Sequence, residues 1–232
     1  MHKRTLHWLY WLSVVLALAL VVYQIYLNFF EKDFTAEHTI QIERIENLLE
    51  ERNTYRFAVL GNINNSVGIF ERKIIPLLNA ENYDFVISSG NAVSNGGEDK
   101  YRAIYRTLGR LNMPYLLAFG PQEESRIGGF RFYDHFGPYH FSFTAGNSRF
   151  IFLDSTGTTD FSWQHRWLNK ELRSAKEPNV FVFSAHPLHK VKEAGLFGLN
   201  NDYLLANEAQ RSRFTEAIES FSVDAVFSAN LS

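Results

Sequence analysis

Apolar and polar positions fall in blocks along this chain, and five of the blocks share one form. Arg56-Phe-Ala-Val-Leu-Gly-Asn-Ile-Asn-Asn65 reads as a buried strand, Phe57 to Leu60, running into a glycine and a loop of amides. A short apolar run bounded by turn residues marks a strand buried on both faces. Polar residues at its carboxyl end are how an α/β sheet presents chemistry. The form returns in Asp84-Phe-Val-Ile-Ser-Ser-Gly-Asn91, Tyr115-Leu-Leu-Ala-Phe-Gly-Pro-Gln-Glu123, Val180-Phe-Val-Phe-Ser-Ala-His-Pro187 and Val223-Asp-Ala-Val-Phe-Ser-Ala-Asn-Leu-Ser232. Five such strands would deliver five polar loops to one edge.

Helical spacing separates several of them. Gly68 to Ala80 places Ile69, Ile74, Ile75, Leu77 and Leu78 at that spacing, with Pro76 predicting a kink or an early stop. Tyr101, Ile104, Tyr105 and Leu108 predict one face of a helix over 98–111. Strand, helix, strand, helix, strand is the signature of crossover units in a mostly parallel sheet. The middle changes character, and Phe130 to Asp154 reads as short alternating strands. Within it, Tyr139–Thr144 and Arg149–Leu153 flank a turn at Ala145-Gly-Asn147 and predict a hairpin. A helix over 162–175 follows, with Trp163, Trp167, Leu168 and Leu172 inward and Ser162 as its cap. A Gly- and Asn-rich loop then covers 190–207, and a last helix covers 208–220. A hairpin inside a crossover fold implies a second sheet packed on the first.

Ahead of the domain, no residue from Thr5 to Phe30 is charged. About 20 apolar residues cross a bilayer as a helix. Trp8, Tyr10 and Trp11 at one end, with Tyr23, Tyr26, Phe29 and Phe30 at the other, form aromatic belts. The expected organisation is a cytoplasmic stretch 1–7, a membrane helix 8–30, an amphipathic connector 31–54 and a domain 55–232. Lys3 and Arg4 before the span put the amino terminus in the cytoplasm and the domain outside. A cleavable signal peptide is the alternative; the run is long for one and no small-x-small site follows it. In the connector, Ile40, Ile42, Ile45, Leu48 and Leu49 form a narrow apolar stripe. It would pack on the domain or, less readily, pair with a second copy as a stalk.

Composition adds limits. At 232 residues there is room for one sizeable soluble domain plus extras. The 21 phenylalanines suffice for a substantial core. A formal net charge of −2 argues against nucleic acid as a partner. With no cysteine, disulfides and thiolate metal sites are excluded.

Phe132-Tyr-Asp-His-Phe-Gly-Pro-Tyr-His-Phe-Ser-Phe143, Gly146-Asn-Ser-Arg-Phe-Ile-Phe-Leu-Asp-Ser155 and Gln164-His-Arg-Trp-Leu-Asn-Lys-Glu-Leu172 resemble the central hairpin region of the calcineurin-like metallophosphoesterases, which include the purple acid phosphatases. The resemblance covers everything after the connector. It implies an α/β fold in four α/β/β/α layers, preceded here by one transmembrane helix. It also implies two divalent metals (Mn, Fe or Zn) about 3.5–4 Å apart that clamp a phosphate ester and activate water. The family's ligand motifs run D-x-H, G-D, G-N-H-E/D, a histidine two places before a proline, and G-H-x-H, one on each strand end. Here they read Asn62-Ile-Asn64, Gly90-Asn91, Gly120-Pro-Gln-Glu123, Ala185 (two before Pro187) and Ala229-Asn-Leu-Ser232. No ligand position keeps its ligand: Asn62, Asn64, Asn91, Pro121, Gln122, Ala185, Asn230 and Ser232 stand in those loops, and His186 falls on the intervening place.

Amides offer neutral oxygens, whereas paired dications need carboxylate or imidazole. No bound metal or other cofactor is therefore expected. The sequence predicts a membrane-anchored pseudoenzyme that binds or scaffolds protein partners in a membrane or envelope assembly. One alternative is an active phosphoesterase with a non-standard site drawn from Glu123, His186, His189 and Asp154. Another is a sensor of a small polar ligand, such as a sugar, held by the amides. Family members continue beyond the last ligand motif, so either the second sheet ends at an exposed edge open to a partner strand or its further strands lie outside this sequence.

Overall fold

The structure, a computed structural model of the chain, describes residues 2–29, 34–124, 128–188 and 207–229. It divides into two units, Met1–Phe34 and Thr35–Ser232. The first is built on helix α1 (His2–Phe29). Its Thr5–Tyr26 stretch, of mean hydropathy 2.0, is long and apolar enough to cross a membrane by length and composition.

The second unit holds two sheets. Sheet A is parallel throughout, in the order β1 (Phe57–Leu60), β2 (Phe85–Ser88), β3 (Tyr115–Leu117). Sheet B runs β4 (Phe141–Ala145), β5 (Ser148–Leu153), β6 (Asn179–Ser184), β7 (Ala225–Ser228); the β4–β5 hairpin is antiparallel and the rest is parallel. Period-two alternation sends Phe85 and Ile87 of sheet A, and Phe143, Phe150, Phe152 and Phe183 of sheet B, into one buried layer between the sheets. Phe57 meets Phe85 stacked and Phe150 and Phe181 edge-on, with ring centroids 5.2–5.7 Å apart. On the outer face of sheet B, Ile151, Leu153 and Val182 pack against Leu168 and Leu172 of α8 (Phe161–Ser174) and Phe214 and Ile218 of α9 (Glu208–Glu219). The hairpin turns on Gly146-Asn147, where Gly146 has φ +55°.

Helices α3 (Val67–Ile69) and α4 (Ile75–Ala80) follow β1, and α5 (Glu98–Leu108) follows β2. The helix does not stop at Pro76, which stands in the first turn of α4. A π-helical segment, Phe70–Ile74, takes up the disruption one turn earlier, with the Ile75 N–H donating to the Phe70 carbonyl. Proline can then enter at the start of α4, where its missing N–H costs nothing. The stretch from Phe130 was expected to alternate as strand, yet Gly128–His135 is helix α7. Phe132, His135 and Phe136 are buried at helical spacing, so that segment follows a period of 3.6 rather than 2. Asp160, not Ser162, caps α8, accepting the Trp163 N–H at 2.8 Å. Trp163 is 49% exposed rather than inward, its ring lying edge-on to His140; the buried face belongs to Gln164, Leu168 and Leu172.

The connector forms α2 (Glu37–Leu49), which packs on β3 and β4. Its buried face is not the predicted stripe. Ile45 and Leu49 are buried, but Ile40 and Leu48 are exposed, and His38 and Gln41 are buried in their stead. The edge of sheet A explains this. His38 Nε2 accepts the Leu117 N–H at 3.1 Å, Gln41 Oε1 accepts the Tyr115 N–H at 3.3 Å, and the Tyr115 hydroxyl donates to Glu37 at 3.0 Å. The outward amides of β3, which a bare edge strand would leave unpaired, are answered by helix side chains. The His38 ring sits among Phe132, Phe136 and Phe141, and burial drives its pKa down to about 3.

Candidate functional site

The carboxyl ends of the strands do converge. Asn62, after β1, takes a left-handed conformation with φ +52°, and Asn91, after β2, does the same with φ +56°. Asparagine is among the few residues that accept this geometry. The Asn62 N–H donates to the Gly90 carbonyl at 3.2 Å and the Asn64 N–H to the Asn91 carbonyl at 3.1 Å, tying the two loops together. The side chains then form a chain of hydrogen bonds. Asn91 Nδ2 donates to Asn62 Oδ1 at 2.9 Å, and Asn62 Nδ2 donates to the Ala229 carbonyl at 2.5 Å. Asn91 Oδ1 lies 3.4 Å from the Gln122 N–H. Gln122 meets the network through its backbone only, and its side chain faces solvent.

Ala185 closes the space beside Asn91. A Cβ on Gly90, which has φ +126°, would stand 2.7 Å from Ala185 Cβ, so the β2 and β6 loops touch through backbone and methyl. Pro121 opens the short helix α6 (Pro121–Glu124). This helix turns Glu123 inward, where it is 1% exposed. Its Oε1 accepts the N–H groups of Ala92 at 2.6 Å and Val93 at 3.1 Å, and its Oε2 accepts that of Asn91 at 3.1 Å. Burial raises the carboxyl to about pKa 7 in spite of these N–H donors and its own backbone N–H, which oppose the shift. The Tyr101 hydroxyl donates to the Glu123 carbonyl at 2.9 Å; sequence reading did not pick out this tyrosine, because its spacing marks it only as core.

Asp154 and His186 form a second, separate group. Asp154 is fully buried and holds the turn after β5, accepting from the N–H groups of Thr156 at 2.8 Å and Thr159 at 2.6 Å and from the Thr156 hydroxyl at 2.8 Å. Ser155, absent from the sequence candidates, links this turn to β6. Its Oγ lies 3.0 Å from His186 Nδ1 and accepts the His186 N–H at 3.0 Å. Burial lowers the His186 pKa, opposed by Ser155 and by the Asp154 charge. The run Asp154-Ser-Thr-Gly-Thr-Thr159 carries the turn signal that would have found this arrangement.

Of the sequence-predicted positions, Asn62, Asn64, Asn91, Ala185, the Gln122 backbone and Glu123 come together; Asp154 and His186 join each other through Ser155. His189, Asn230 and Ser232 lie outside the described residues. Among the described residues, no three His, Asp or Glu side chains are grouped so as to hold a metal ion.

No family model matches this sequence, and no curated protein matches it significantly. Solved structures do. A dimetal phosphatase from Danio rerio superposes with a TM-score of 0.54 at 14% identity, covering 76% of this chain and 81% of that one. A Staphylococcus aureus protein described as a candidate 5'-nucleotidase matches at a TM-score of 0.40 and 18% identity, over 83% of this chain but 38% of its own. The two-sheet α/β architecture with outer helices is thus similar to a metallophosphoesterase fold, as the sequence landmarks implied.

Proposed function

We propose that this protein is a non-catalytic binding or scaffolding module of phosphoesterase fold, held at a membrane by its amino-terminal helix with the domain on the extracytoplasmic side. One observation carries the reading: the strand-end side chains spend their hydrogen bonds on each other and on backbone. Two adjacent dications need anionic or imidazole ligands with lone pairs turned toward them. Asn62 and Asn91 instead present amide protons to neighbouring oxygens, and both Glu123 oxygens are taken by backbone N–H groups. The residues present do not fit a dinuclear centre, and no hydrolytic step is derived through one. Asp154 is committed to the turn after β5 and His186 to Ser155 of that turn, which weighs against a non-standard catalytic site.

A second reading rests on a different observation. Among the described residues, Asn64 Oδ1, Ser88 Oγ and Ser89 Oγ are buried polar atoms without a hydrogen-bond partner. Such groups are costly unless something satisfies them, and a small neutral ligand such as a sugar would do so.

The test uses the purified full-length chain in detergent. Metal content by plasma mass spectrometry should be far below one ion per chain, EDTA should leave the melting temperature unchanged, and a generic phosphodiester should not turn over. Near-stoichiometric Mn, Fe or Zn together with turnover would overturn the proposal. Stabilisation by a sugar in the same melts, without metal, would favour the second reading.

A further inference from the structure

Two helices of this unit carry complementary charge on their solvent faces. On α2, Glu43, Glu46 and Glu50 are exposed at spacings of three and four, within one narrow stripe opposite the buried Gln41, Ile45 and Leu49. On α8, Arg166, Lys170 and Arg173 are exposed at spacings of four and three, opposite the buried Gln164, Leu168 and Leu172. They border a shallow depression of about 610 Å³. Among the described residues, none of these six side chains is in an ion pair, while the neighbouring Glu171 and Glu177 are both held by Arg149. Like charges stacked along a helix face repel one another. Glu46 feels this already: burial and the Glu43 charge raise its pKa.

We propose that the α8 stripe docks the α2 stripe of a second copy of this chain. Read from its carboxyl end, α8 presents Arg173, Lys170 and Arg166 at spacings of three and four, the same as Glu43, Glu46 and Glu50 read forward. Antiparallel helices therefore set 43 against 173, 46 against 170 and 50 against 166, each triplet spanning about 10 Å at the helical rise. Charge complementarity and this register together favour a second copy over an unrelated acidic partner. The two stripes lie on different helices, so each copy offers one acidic and one basic surface to its neighbours. Exposed ion pairs are individually weak, so the contact needs copies concentrated by anchoring in one bilayer. It rests on the membrane anchoring proposed above and is independent of any chemistry at the strand ends.

The experiment is energy transfer between donor- and acceptor-labelled full-length chains in neutral phosphatidylcholine vesicles at low protein density. Transfer above the random level is expected at low salt, with loss on raising salt to about 0.5 M. Glu43→Lys/Glu46→Lys/Glu50→Lys should abolish it, and so should Arg166→Glu/Lys170→Glu/Arg173→Glu. A chain carrying all six reversals should regain it, which misfolded triple variants could not explain. A six-fold variant as low as either triple overturns the proposal. So does an α8 reversal that leaves transfer intact while abolishing binding to phosphatidylglycerol vesicles, which would make anionic lipid the occupant.

Discussion

His38 and Glu123 are both buried and both shifted, in senses that nearly cancel over a definite pH range. The folded-state pKa of His38 lies at about 3 against an ordinary 6.5. As pH falls below 6.5 the unfolded chain takes up this proton and the folded chain does not. The stability that depends on neutral His38 is therefore whole above 6.5 and drains as pH falls toward 3. Glu123 is the reverse, at about 7 against an ordinary 4.5. Its contribution is whole below 4.5 and is lost as pH rises through 7. Each slope is about 1.4 kcal/mol per pH unit. Between pH 4.5 and 6.5 the two oppose one another, and together they leave stability almost flat. His38→Gln, whose amide oxygen can still accept the Leu117 N–H, removes one slope. Relative to wild type, it should lose ~3 kcal/mol on going from pH 4.5 to 6.5. Glu123→Gln should gain about as much over the same range, from a lower starting point because its amide meets the Asn91 N–H with a donor. The assay is urea unfolding of the full chain in detergent micelles at half-unit pH steps, with Trp8 and Trp11 replaced by Phe so that emission reports Trp163 and Trp167. A His38→Gln variant whose pH profile runs parallel to wild type would refute the reasoning, whatever its absolute stability.

Two local perturbations probe the α8 cap and the hairpin turn. Asp160→Ala removes the α8 cap and should cost ~1 kcal/mol in the same unfolding assay, whereas Ser162→Ala should change it by less than ~0.5 kcal/mol. Gly146→Ala places a Cβ 2.8 Å from the Arg52 carbonyl oxygen at a backbone φ of +55°; a loss of ~1–3 kcal/mol is expected, and a variant as stable as wild type would mean the hairpin turn is not held against residue 52.

The apolar runs at Phe85 and Val180 were legible because a strand covered on both faces has little room for polar residues; those at Phe57 and Val223 gave strands too, but β1 and β7 are half-buried along their length rather than fully buried. So was the hairpin, since Gly146-Asn147 between alternating segments admits few other conformations. The connector was legible as a helix but not as to its buried face. Counting hydrophobes selected Ile40 and Leu48, while the position against an edge strand demanded hydrogen-bond acceptors, and His38 and Gln41 answered a need that hydropathy does not register. The π-helical segment at Phe70–Ile74 was equally silent, since a proline says that a backbone bond is lost but not where the helix will absorb the loss. At the strand ends, the sequence named the amides. Only the three-dimensional arrangement shows that Asn62 and Asn91 bond to one another, because residues 29 positions apart carry no mark of their partnership.

The bonding of α2 to β3 bears on how the domain could be released. A protease acting in the segment before Thr35 would free a unit with its sheet edge still covered. One acting between Leu49 and Phe57 would leave that cover held by packing and hydrogen bonds alone, and its loss would bare the amides of Tyr115 and Leu117 as a template on which other chains could polymerise. Release of the domain with its edge covered and release with its edge bare are thus set apart by fewer than two dozen residues of chain.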